Sequence, residues 1–79
     1  MPYAFTFGDI ARVCHALGML REGKGQVWKG LGHDGVFRRL SLHSHGAGRA
    51  VAPGTARAFA RQLGFVSLEA MYQFLKELR

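Results

Sequence analysis

The chain has 79 residues, and a domain this short hides only roughly 60% of the surface its unfolded chain exposes, which holds it to a single domain, 1–79. An apolar share of 48%, with six Phe, two Tyr and one Trp, supplies a core and excludes a disordered segment. The one cysteine, Cys14, excludes a disulfide within the chain, no apolar run approaches the ~20 residues of a membrane helix, and the N-terminal layout is not that of a signal peptide; the expectation is a cytoplasmic protein with no membrane association.

From the N-terminus, Thr6 and Asp9 read as a capping box opening a helix over roughly Phe7 to Leu17, with Ile10, Val13, Cys14 and Leu17 on one face. Phe5 and Ile10 are placed to close a hydrophobic staple, and Gly18 supplies a left-handed end. Met19 to Glu22 is a short extended candidate. Gly23-Lys24-Gly25 is a turn, and Gln26-Val27-Trp28-Lys29 is a second strand. Gly32 to Gly35 interrupts it, with Asp34-Gly35 as a hairpin signal before a third strand from Val36 to near His43 or beyond.

Gly46 to Pro53 reads as a loop, and Gly54-Thr55 opens a helix with Ala56, Phe59, Ala60 and Leu63 inward, closing at Gly64. Ser67 caps a third helix carrying Leu68, Met71, Leu75 and Leu78, with Val66 and Met71 as its staple. The expected fold is α+β in the order α-β-β-β-α-α, a three-stranded antiparallel sheet with helices on one face and the layout of a double-stranded-RNA-binding domain.

Eleven Lys and Arg oppose five Asp and Glu, a net charge of +6, and the positives are spread from Arg12 to Arg79. Such a surface attracts phosphates by a sequence-independent electrostatic term, so RNA is the expected partner; an acidic protein could use the same charge, and a basic surface also simply aids solubility. In the third strand Leu40, Leu42 and Ser44 share one face, while Arg39, Ser41, His43 and His45 share the other. The second row can hold a phosphodiester and move a proton near neutral pH. A solvated strand face accounts for the same pattern.

On the second helix Arg57 and Arg61 stand one turn apart, and Thr55 with the first amides makes an anion-attracting terminus; a solvated helix face explains the same arginines equally well, and the signal counts only in combination with Arg39 and Lys29. Trp28 reads as core rather than as a stacking platform. His43 and His45 are spaced like two metal ligands on a strand, but His33 or Asp34 could complete a set only by the accident of the fold, and Cys14 lies on the inward face of the first helix. No metal site and no cofactor is expected. His15 has no visible helper.

The stretch His43-Ser44-His45-Gly46, a short basic loop, then Pro53-Gly54-Thr55-Ala56-Arg57 and a helix closing at Leu63-Gly64-Phe65 resembles the HicA family of toxins. Gly23-Lys24-Gly25-Gln26-Val27-Trp28-Lys29 falls in the matching order, and the resemblance covers roughly residues 7 to 75. It implies the double-stranded-RNA-binding fold, cytoplasmic metal-independent cleavage of messenger RNA, and silencing by a HicB-type antitoxin.

That family carries its catalytic histidine in a Gly-any-His motif at the start of the second strand. The matching positions here are Gly23, Lys24 and Gly25, so the histidine is absent, and a shift of one residue brings Gln26, whose amide does not titrate usefully. Three accounts stay open: His43 or His45 has taken over proton transfer, the fold persists as an RNA- or partner-binding module, or the chain is an inactive member. The RNA-holding set expected on this reading is Lys24, Gln26, Lys29, Arg39, Thr55, Arg57 and Arg61, with His45 or His43 catalytic. The alternative is a non-catalytic module that binds an acidic partner such as a HicB-like antitoxin.

Overall fold

The computed structural model describes residues 4–22, 27–42 and 48–78, in the order α-β-β-β-α-α of an α+β fold. Helix α1 (Phe7–Ala16) starts where the capping box places it: the Asp9 amide donates to Thr6 Oγ1 at 3.1 Å, and the Thr6 amide to Asp9 Oδ2 at 2.9 Å. These bonds satisfy two amides that the first turn leaves without intrahelical partners. Ile10, Val13 and Cys14 point inward, and burial pushes the Cys14 thiol up to about 12. Gly18, at φ 85°, turns the chain out of the helix in a conformation that costs glycine little.

Strands β1 (Leu20–Arg21), β2 (Val27–Leu31) and β3 (Phe37–Ser41) form an antiparallel sheet in that order. The register sets Leu20 opposite Lys29, Arg21 opposite Trp28, Trp28 opposite Leu40, and Lys29 opposite Arg39. Because side chains alternate along a strand, Trp28 and Leu40 face the core while Lys29 and Arg39 face out. At Gly30 a Cβ would lie 2.9 Å from Met19 Cα, so the backbone before β1 packs directly on β2.

The β2–β3 loop carries the Asp34-Gly35 signal, but β2 runs on to Leu31 and the loop spans Gly32 to Val36. The Val36 amide donates to Asp34 Oδ1 at 3.1 Å, the Gly35 amide to the Gly32 carbonyl at 3.0 Å, and Gly35 takes φ 78°. After β3, the chain returns past α1: the Phe7 amide donates to the Arg49 carbonyl and the Val51 amide to the Phe5 carbonyl.

Helix α2 (Pro53–Gln62) begins one residue ahead of the Gly54-Thr55 start that its sequence suggests. Ala52 is the N-cap with no side-chain bond, and Pro53 takes the first helical position, where its fixed φ is already helical and its missing N–H costs nothing. Thr55 sits in the first turn.

Helix α3 (Leu68–Lys76) starts at Ser67, whose Oγ accepts from the Ala70 amide at 3.0 Å. The expected Val66–Met71 staple does not form. Val66 is 95% exposed, and Phe65 turns inward in its place. Leu78 lies beyond the end of α3 and is partly exposed instead of completing its apolar line.

The helices cover one face of the sheet, so one cluster joins Ile10, Val13 and Met19 to Trp28, Leu40 and Leu42, and to Phe59, Leu63, Met71 and Leu75. Full burial of side chains such as Ile10, Leu40 and Leu63 contributes about 1.5–3 kcal/mol each. No helix among the described residues is long and apolar enough to cross a membrane.

Candidate nucleic-acid interface

The uncovered face of the sheet is built by the β1-β2-β3 register. Lys29 lies between Leu20 and Arg39, Val27 faces Ser41, and Leu31 faces Phe37. Cations therefore occupy the middle of this face, and exposed apolar side chains flank them: Leu20 at 76%, Leu31 at 58% and Phe37 at 64%. Glu22, just past β1, holds both cations: its Oε2 is 3.4 Å from Lys29 Nζ and its Oε1 is 3.8 Å from Arg39 Nη2. These pairs are open to solvent, where water and salt leave an ion pair worth no more than about 1 kcal/mol.

The neighbouring arginine of β3 is used differently. Arg38 points to the covered side and pairs with Asp34, which caps the loop. The Arg38 guanidinium, with the Val36 amide, holds the Asp34 carboxyl below its ordinary value. Asp34 thus serves loop structure. His33 serves docking: its amide donates to the Leu63 carbonyl at 2.8 Å, and its ring stacks on Phe65 with centroids 4.5 Å apart and planes 18° apart. Phe74 meets the same ring edge-on at 5.6 Å. Among the described residues no group of three or more His, Cys, Asp or Glu is arranged to hold a metal ion.

Arg57 and Arg61 are both exposed on α2 and line a cleft of about 250 Å³ whose other wall is Phe65, Ser67 and Leu68 at the start of α3. No ion pair among the described residues engages either arginine. Thr55 is exposed two residues ahead of Arg57 on the same helix.

The structure thus brings the sequence-derived residues together as two pairs rather than one patch. Lys29 and Arg39 are cross-strand neighbours on the open face, whereas Arg57 and Arg61 are on the helical side of the sheet. Lys24, Gln26, His43 and His45 lie outside the described residues. Sequence reasoning missed Glu22 and the apolar flank of Leu20, Leu31 and Phe37. The signal for both was two-residue alternation, since Leu20 and Glu22 share one face of a strand.

No family model matches the chain, and neither a curated protein nor a solved structure matches it.

Proposed function

We propose that the protein is a small RNA-binding domain of the HicA-like toxin kind, with a double-stranded-RNA-binding-like fold, working in the cytoplasm beside a HicB-like antitoxin. The observation that carries the reading is the cross-strand pair Lys29 and Arg39 on an uncovered sheet face, in a chain of net charge +6. Two adjacent cations on a pleated surface match successive phosphates of a strand, and each phosphate neutralised releases a counterion. Arg57 and Arg61, free of acidic partners among the described residues, extend the phosphate-holding surface to the helical side.

Lys24, Gln26 and Thr55 complete the RNA-holding set. Proton transfer in this scheme falls to His45 or His43, on the chain that follows the Arg39–Ser41 row, with no metal required. Purified protein incubated with a mixed RNA pool in EDTA, followed by mapping of the new ends, tests binding and cleavage together. Cleavage that disappears in His45→Ala assigns the histidine; retention of RNA without new ends leaves an RNA-binding module, and neither retention nor new ends overturns the reading.

A second reading is favoured by one feature, the exposed Leu31–Phe37 cross-strand pair beside Lys29 and Arg39. Large apolar side chains exposed next to cations suit an acidic protein partner with apolar anchors, such as a HicB-like antitoxin. That partner would compete with RNA for the face, and a stable ternary complex would contradict both assignments of it.

A further inference from the structure

A groove of about 490 Å³ lies between α1 and the β1 edge, bounded by Ala11, Arg12, His15, Arg21 and Trp28, with Leu78 at one end. It shares no residue with the Lys29–Arg39 face or with the Arg57–Arg61 cleft. Three basic side chains stand around an apolar floor, and no carboxylate is among the described lining residues. Among the described residues Arg12 pairs only with Asp9, at 3.9 Å, and half of its side chain is exposed.

The Arg21 guanidinium lies over the Trp28 ring, 5.8 Å from its centroid. Trp28 itself is only 7% exposed, so an entering ring meets the guanidinium plane, already held by the indole beneath it. Arg12 and His15 are three residues apart on α1 and therefore neighbours on its surface, where both can donate to one anionic group.

We propose that this groove holds a single nucleotide, its base stacked on Arg21 over Trp28 and its phosphate taken by Arg12 and His15. The proposal rests on the RNA reading and adds to it a base-holding site away from the sheet face. The volume of about 490 Å³ falls within the about 300–1,000 Å³ that small-ligand sites span. Charge decides the rest, because an apolar floor flanked by two arginines and an imidazole donor favours a flat ring joined to an anion. Stacking of bases on arginine planes is a usual device for unpaired RNA.

Trp28 is the only tryptophan of the chain, so its emission reports on the groove directly. The full chain is titrated with adenosine monophosphate, adenosine, ribose 5-phosphate and inorganic phosphate in separate arms. The expected result is a saturable change with the nucleotide, and affinities weaker by about tenfold or more for arms lacking base or phosphate. Arg12→Ala should lose about the same factor for the nucleotide and nothing for adenosine. Arg21→Lys keeps the charge and loses the plane, so the nucleotide should bind no better than ribose 5-phosphate. Both substitutions are at exposed positions, and unchanged far-ultraviolet dichroism verifies the fold.

Absence of any nucleotide response at millimolar concentration overturns the groove assignment, and RNA retention in the same preparation shows that the RNA reading survives it. Saturable nucleotide binding without RNA retention does the reverse. A response to an acidic helical peptide alone assigns the groove to a protein and overturns the proposal.

Discussion

Glu22 reaches from the end of β1 to Lys29, its Oε2 3.4 Å from Nζ, and so places a carboxylate on the cation that the proposed RNA reading assigns to a phosphate. Its other oxygen is 3.8 Å from Arg39 Nη2. An entering phosphate has to displace this internal anion. Glu22→Gln is therefore expected to raise RNA affinity by about two- to fivefold at low salt, the range of exposed ion pairs, with the gain shrinking as salt screens both anions. Gel-shift titrations at two salt concentrations check this; equal affinities for wild type and variant at low salt would show that Glu22 does not compete.

Gly64 and Gly18 both take φ 85°, yet their surroundings differ. A Cβ at Gly18 meets nothing within 4 Å, whereas one at Gly64 collides with the Asp34 carboxylate of the docked β2–β3 loop. Gly18→Ala should cost about 1–2 kcal/mol from the left-handed backbone alone. Gly64→Ala should cost clearly more, and urea unfolding of the two variants separates backbone strain from loop displacement. Equal losses would mean that the loop moves aside freely.

The capping box at Thr6 and Asp9, the Ser67 cap and the inward Leu40 and Leu42 are legible in the sequence because each depends on residues within four positions of one another. The Val66–Met71 staple fails for the opposite reason. Phe65 competes for the inward position, and it wins through ring contacts with His33, which is distant in sequence, and with Phe74. Helix α2 starts one residue early because Pro53, its φ already fixed at a helical value, takes the first helical position. The candidate interface was half legible: alternation marks Lys29 and Arg39 as outward, but only the register makes them neighbours and brings Glu22 between them.

Asp34 links loop structure to pH. Its folded-state pKa lies below its ordinary value because Arg38 and the Val36 amide favour the carboxylate. A depressed acid contributes stability that is fully present above the unfolded pKa, near 3.8, and is lost as pH falls through the folded one. Melting temperature should thus fall between about pH 5 and pH 2 more steeply in wild type than in Asp34→Asn. Parallel acid-side curves for the two proteins would show that the Arg38 pair has no such role.

The central claim is that basic side chains of the folded surface hold RNA through its phosphates, and the salt dependence of binding tests it most directly. Observed association constants for a single-stranded RNA, plotted as logarithms against the logarithm of salt concentration, should fall linearly, with a slope of about −0.7 for each phosphate neutralised. Replacing Lys29 and Arg39 by Glu should flatten the line and weaken binding, and replacing Arg57 and Arg61 by Glu should do the same independently. An affinity that does not change between low and high salt, or one untouched by both pairs of replacements, would contradict the account.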